Sequence, residues 1–164
     1  MYLCATKITI FFYNTTMQYP KLNYPAIHLR ARRTPSGKCE VFDAIRGRWL
    51  VLTPEEWVRR HVVAFLVSGC GFSAHSIAEE HPVAINGMAQ RADIVVMDEC
   101  GAPYIVVECK EPEVKIDGGV YAQAVRYNSV LGCRYVVITN GMETYCYEVV
   151  DGVYVGINHF PTAK

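Results

Sequence analysis

No CxxC pair and no closely spaced pair of histidines occurs in these 164 residues, although seven cysteines are scattered along them at Cys4, Cys39, Cys70, Cys100, Cys109, Cys133 and Cys146. That spacing argues against a zinc knuckle. The odd, irregular count argues against a disulfide framework and fits a reducing cytoplasm, where the chain is expected to work. Net charge is missing too: sixteen basic side chains balance sixteen acidic ones. No global positive field therefore draws the chain to nucleic acid or membrane, and such binding must come from local patches. No apolar run is long enough to span a membrane, and the opening MYLCATKITIFFYNTT lacks the charged start and small-residue cleavage site of a signal peptide. Internal repeats, low-complexity tracts and linkers are absent as well. Because Met17 opens a polar stretch, MQYPKLNYPAIHLRAR, residues 1–16 are expected to be an upstream extension or loose strand without function, and 17–164 one domain.

What is present is core-forming material: 51% hydrophobic residues with two tryptophans and eleven tyrosines, enough for one substantial core. Residues 20–50 are rich in Pro, Gly and Arg and predict an arm and a short hairpin, CEVFDAIRGRWLVL, turning near Arg46 and Gly47. TPEEWVRRHVVAFLVSG then carries the clearest helix start. Thr53 is the N-cap, Pro54 the first helical residue and Glu56 the capping-box partner. Val58, Val62, Phe65 and Leu66 give that helix an apolar face, and Gly69 or Gly71 ends it. Strands are expected at 78–86, 92–98, 103–110 and 134–140, with a helix over 118–131 presenting Val120, Ala124, Tyr127 and Leu131. Asp151 and Gly152 mark a last hairpin. The order predicts a single α/β domain with a mixed central β-sheet flanked by helices.

Within ADIVVMDECGAPYIVVECK, residues 92–110, two apolar strands surround a turn near Cys100 and Gly101, yet they carry ionisable groups. A hairpin about that turn pairs Ile94 with Val107 and Val96 with Ile105. Asp93 then falls opposite Glu108, and Lys110 points to the same face. Two carboxylates facing each other repel, so something must compensate. Lys110 does part of this. A divalent cation does more, because Mg²⁺ favours one or two carboxylates together with waters and phosphate oxygens. A lysine beside it could orient or deprotonate a nucleophilic water.

Asp93, a strand turn, then Glu108-Cys109-Lys110 resembles the D…(D/E)xK signature of the PD-(D/E)xK nuclease superfamily, and Gln123-Ala-Val-Arg-Tyr127 resembles its QxxxY helix motif. More closely, TPEEWVRRHVV, RADIVV, VECKEPEV, QAVRYN and VITNG look like the N-terminal nuclease domain of type I restriction enzyme R subunits, over about residues 20–150. The resemblance implies a restriction-endonuclease-like fold and Mg²⁺-dependent hydrolysis of DNA, with Mn²⁺ as a substitute. It implies that Asp93 and Glu108 ligate the metal, that the Cys109 backbone carbonyl adds a ligand, and that Lys110 assists the attacking water. Glu56 matches the first-helix acidic position that completes such sites, with Glu55 as its neighbour. Gln123 and Tyr127, at i and i+4, would contact substrate or support the site. The proline of the signature is absent, Ala92 standing before Asp93. These residues hold no helicase motor, so translocation-coupled cleavage is not implied.

Plainer readings stand beside these. A capping box alone accounts for Glu56, a solvated helix face for Gln123, a core position for Tyr127 and a solvated strand edge for Glu80. Arg30, Arg32, Arg33, Lys38, Arg46, Arg48, Arg59 and Arg60 concentrate positive charge that could hold phosphates, with no aromatic interleaving to favour single-strand stacking. The five histidines have no partner at telling spacing. The leading expectation is a metal-dependent DNA endonuclease. Its candidate partners are DNA, restriction-modification or helicase subunits and a second copy of the chain, with no membrane. The alternative is a non-catalytic module that keeps the nuclease fold and recruits such a partner.

Overall fold

Two-residue turns at positive φ divide the second half of the chain into hairpins: Asn86 and Gly87 at 49° and 77°, Asp151 and Gly152 at 50° and 77°. Such pairs match the right-handed twist of the strands they join. The computed structural model describes residues 9–11 and 19–163. Its elements run β1 (Thr9–Phe11), β2 (Leu29–Arg33), β3 (Cys39–Asp43), β4 (Arg48–Val51), α1 (Pro54–Ser68), β5 (Ile77–Ile85), β6 (Met88–Met97) and β7 (Pro103–Cys109). They end with α2 (Gly118–Leu131), β8 (Tyr135–Thr139), β9 (Thr144–Val150) and β10 (Val153–Ile157). Apart from β1, the expectation for residues 1–16 lies outside the described residues.

The strands form a small sheet, β1-β2-β3-β4, and a six-stranded sheet, β10-β9-β8-β7-β6-β5. The large sheet is mixed because α2 carries the chain across between β7 and β8, which alone among its pairs run parallel. Its central strands are buried on both faces, which explains their unbroken apolar runs. Ile94, Val96, Ile105, Val107 and Val137 join one core with Val58, Val62 and Leu66 of α1 and with Ala31 and Val41 of the small sheet. Val95, Val106, Val136 and Ile138 join a second core with Ala124 and Tyr127 of α2. The predicted α/β class with a mixed sheet flanked by helices is the observed one.

Both helices begin on side-chain caps. The Thr53 hydroxyl accepts from Glu56 N–H at 3.1 Å, and Asp117 accepts from Gly119 and Val120 N–H at the start of α2, satisfying donors that a helix leaves free. Two elements differ from expectation. The arm contains β2, whose basic residues read as polar loop although Ala31 turns into the core at 1% exposure. β6 begins at Met88, earlier than position 92, because the Asn86–Gly87 turn closes directly onto it.

Residues 19–24 strap the arm across the rest of the fold. Asn23 N–H donates to Gly141 O at 2.7 Å and the Asn23 amide to Met142 O at 2.6 Å. Leu22, 3% exposed, lies against Gly141, where a Cβ would come within 2.7 Å of Leu22 Cδ2. Gly132, the αL cap of α2, also has positive φ but no atom within 4 Å of such a Cβ. Gly132→Ala is therefore expected to cost about 1 kcal/mol of strain alone. Gly141→Ala should add overpacking against Leu22, roughly doubling the loss or more. Urea midpoints for the two variants check this, and equal losses would show that Leu22 does not press on Gly141.

Candidate functional site

The β6–β7 register places the acidic residues. Ile94 pairs with Val107 and Val96 with Ile105, as predicted, before the register shifts between Val96 and Met97. Asp93 and Glu108 lie one step beyond the Ile94–Val107 pair. On the other side of β6, Glu79↔Ile94 and His81↔Ala92 bracket Glu80 and Asp93, and Glu80 takes a left-handed φ of 52°. Three carboxylates, Glu80, Asp93 and Glu108, thus stand at one level of three adjacent strands.

The flanking layers hold these acids from different directions. Cys109 N–H donates to Asp93 Oδ2 at 2.7 Å, and Arg59 of α1 donates to Oδ1 at 2.8 Å. Glu108 instead meets α2. Its Oε1 accepts from Lys110 Nζ at 2.7 Å and from the Gln123 amide at 2.5 Å. The Gln123 amide also reaches Tyr127 Oη at 3.2 Å, while its carbonyl accepts from Lys110 Nζ at 3.2 Å. Hydrogen bonds therefore link Glu108, Lys110, Gln123 and Tyr127 into one group, and Asp93 stands beside it on the Cys109 N–H. Tyr127 is also a core residue, 6% exposed. The Cys109 side chain is fully buried, and burial pushes its thiol well up.

Charge in this group is tightly confined. Burial and then the Asp93 charge push Glu108 up to about 7, against the hydrogen bond from Lys110. Burial also raises Asp93, with Arg59 and the Cys109 N–H opposing it. Lys110 is desolvated, yet Glu108 and the other carboxylates outweigh this and raise its pKa, keeping it an ammonium. Glu108 Oε2 is buried and has no hydrogen-bond partner among the described residues.

Glu56 points elsewhere. Its Oε1 lies 2.7 Å from Arg60 Nε and 3.2 Å from Arg46 Nη2, and its Oε2 lies 2.9 Å from Arg59 Nη1. It belongs to a buried ion cluster in which Asp43 and Glu79 also contact Arg46 and Arg60. Among the described residues, Asp43, Glu56 and Glu79 are the one trio in which one carboxylate oxygen of each lies within 4.8 Å of the others. The arginines already fill it with positive charge. Glu55 is the α1 carboxylate on the Asp93 side: burial and then Asp93 raise its pKa, and Lys110 lowers it.

Arg59 and Arg60 are thus buried, and Arg46 half-buried, in ion pairs instead of lining a phosphate-holding surface. Arg30 and Arg32 lie over the Trp49 ring at 5.2 and 4.3 Å, and Arg30 over Phe42 at 4.8 Å, an interleaving that linear spacing conceals. Glu80 is not a solvated edge residue either, since its Oε1 lies 2.8 Å from Arg59 Nη1. The signal for these pairs was present in EExxRR, which sets Glu55 and Glu56 four residues before Arg59 and Arg60. Spacing alone does not separate a buried pair from a surface one, because the burial of the second face of α1 is a tertiary fact.

Among the described residues no helix is long and apolar enough to cross a membrane. No curated protein matches the chain. A solved structure described as "The fragment structure of a putative HsdR subunit of a type I restriction enzyme from Vibrio vulnificus YJ016" is 24% identical, with a TM-score of 0.54 over 68% of this chain. That similarity shows a shared fold, and the chain spans 24% of the length of that protein. The family described as Type I restriction enzyme R protein N terminus matches residues 54–161, from the first residue of α1 to beyond β10. Since that match takes in both helices and the whole six-stranded sheet with its acidic row, the chain belongs to the family of type I restriction enzyme R protein N-terminal domains.

Proposed function

We propose that this chain is a metal-dependent DNA endonuclease domain of the PD-(D/E)xK type, serving a restriction system. The observation that carries the reading is Glu108 Oε2, a buried carboxylate oxygen without a partner, beside Asp93 and below Lys110. The donor set fits a hard cation: carboxylate oxygens such as those of Asp93 and Glu108 are ligands Mg²⁺ takes, and Mn²⁺ accepts the same set. Net charge supports it. Among the described residues, Asp43, Glu55, Glu56, Glu79, Glu80 and Asp93 share Arg46, Arg59 and Arg60, with the exposed Arg91 3.7 Å from Glu80, while Glu108 pairs separately with Lys110.

Asp93 and Glu108 would hold the cation, with the Cys109 carbonyl beside them. Once bound, it supplies Lewis acidity toward a phosphodiester and acidifies a water. Lys110, an ammonium beside Glu108 in the metal-free chain, would donate hydrogen bonds and positive charge to the attacking water or the phosphate oxygen. Gln123 fixes Lys110 and Glu108 relative to each other through both ends of its amide, and Tyr127 anchors Gln123 to the core. Glu55 is the first-helix carboxylate best placed to add to the site. DNA, and the other subunits of a restriction enzyme, are the partners this reading requires.

The non-catalytic module is favoured by one observation: both oxygens of Asp93 already have protein partners, so the site holds together without an ion. Cleavage of labelled duplex, nicked, branched and single-stranded DNA in Mg²⁺, Mn²⁺ or EDTA separates the two readings. Cutting is expected with either metal and not with EDTA. Asp93→Ala should reduce it to background and Lys110→Ala by about 10²-fold or more. Unchanged cutting by Lys110→Ala would remove the lysine from the mechanism, and absence of both cutting and cation binding would favour the module.

A pH effect follows from Glu108. Its folded pKa of about 7 lies above the ordinary 4.5, so in this range the folded chain binds the extra proton. Its contribution to stability is full below about 4.5 and is lost as pH rises through about 7. Urea midpoints of the metal-free protein should fall across that window, less steeply in Glu108→Gln. Saturating Mg²⁺ should flatten the slope by replacing the proton, and a slope indifferent to Mg²⁺ would argue against Glu108 as a ligand.

A further inference from the structure

The small sheet has a face that none of the groups above uses. Ala31 and Val41 turn into the core, so alternation sends Arg30 and Arg32 of β2, Glu40 and Phe42 of β3, and Trp49 of β4 to the opposite face. Phe42 pairs with Trp49 across the strands, and their rings meet edge to face at 5.5 Å. The Arg30 guanidinium lies 4.8 Å from the Phe42 ring and 5.2 Å from the Trp49 ring, and that of Arg32 4.3 Å from Trp49. Both rings are only half-buried. Arg33, Lys38 and Arg48 stand exposed at the rim, at the end of β2, before β3 and at the start of β4. Against these cations the face sets one acid, Glu40, which is already paired with Arg32 at 2.7 Å. Among the described residues, Arg30, Arg33, Lys38 and Arg48 have no carboxylate partner.

A chain of zero net charge thus gathers unpaired cations and two aromatic rings on one sheet face. Cations alone would suit any polyanion. Rings and the guanidiniums over them add flat π surfaces, against which unpaired bases stack, whereas a duplex keeps its base faces inside. We infer that the outer face of the small sheet binds single-stranded DNA, bases stacking on Trp49, Phe42 and the arginines over them while Arg33, Lys38 and Arg48 hold phosphates. The sheet precedes the residues matched to the family, 54–161, so this face lies outside the part of the chain that carries the acidic row. β3 connects the two parts: Phe42 is on the binding face, and the next residue, Asp43, shares Arg60 with Glu56 of α1. The platform is thereby tied to the helix whose Arg59 holds Asp93. The inference takes DNA as the polymer from the reading above, but it requires neither metal nor cutting.

Fluorescence anisotropy of the full chain with a labelled oligothymidylate of about 16 nucleotides, in EDTA and over a series of KCl concentrations, tests this. Wild type is expected to bind the strand more tightly than a duplex of equal length. Binding should also quench tryptophan emission through Trp49, since Trp57 is buried. Trp49→Ala should weaken binding about tenfold and abolish the quenching, while Trp49→Phe, which keeps a ring, should restore most of the affinity. Should Trp49→Ala not fold, Arg48→Ala, at an exposed position, is expected to weaken binding and to reduce the slope of log Kd against log salt by about 0.7. Equal or tighter binding of the duplex, or full affinity in folded Trp49→Ala or in Arg48→Ala, overturns the inference. Displacement of the strand by polyglutamate of equal charge overturns it too and makes an acidic protein the partner, and tighter binding of oligouridylate RNA overturns the choice of DNA. Strand binding by a chain that cuts nothing in Mg²⁺ supports the inference and counts against the nuclease reading alone.

Discussion

Asp93 is held by the Cys109 N–H from β7 and by Arg59 from α1, and Arg59 in turn binds acids of α1 and β5. Moving that one guanidinium disturbs a helix and three strands together. Removing one partner of a buried ion pair costs about 3–5 kcal/mol, because the remaining charge is left without solvent or counterion. The position of α1 on the sheet is therefore set by charge as well as by Val58, Val62 and Leu66, each fully buried against the sheet. Nearly the whole circumference of α1 from Glu56 to Val63 is inside the protein, apolar on one side and ionic on the other.

The two faces of the large sheet divide the labour. The apolar pairs of β6 and β7 fix the register, and the polar residues that follow in that register form the acidic row. Lys110 N–H donates to Thr139 O at 2.8 Å, extending the parallel β7–β8 ladder one residue past the strand. That contact fixes the backbone from which Lys110 reaches Glu108. α2 completes the group from the opposite layer: its cap at Asp117 and its αL end at Gly132 set its length, and Gln123 falls midway along it, above Glu108.

The fold was legible where local rules and burial agree. The caps of both helices, the Asp151–Gly152 turn and the unbroken runs in β6, β7 and β8 follow from propensity and periodicity. Asp93, Glu108 and Lys110 were legible because a hairpin register is arithmetic once its turn is known. Three features were not. β2 hid because alternating arginines resemble a solvated arm when the aromatic rings beneath them, Phe42 and Trp49, come from other strands. The choice between Glu55 and Glu56 depends on the rotation of α1 about its axis, which the capping pattern leaves free. The burial of Arg59 among carboxylates required knowing that β5 brings Glu80 to the same level as Asp93, a fact of sheet order.

The arm contacts at residues 19–24 have a temporal meaning. Tyr24 Oη meets Thr139 Oγ1 at 3.2 Å and Thr144 Oγ1 at 3.1 Å, across 115 and 120 residues of chain. Leu22 rests against the turn after β8. During synthesis from the N-terminus these partners do not yet exist while the small sheet and α1 emerge. The arm must wait, with Leu22 and Tyr24 in water, until β8 and the start of β9 have left the ribosome. Contacts of such long sequence separation slow the search for the native state. The strap therefore closes only after residues 139–144 have joined the chain, tying Asn23 and Tyr24 to partners made more than a hundred residues later.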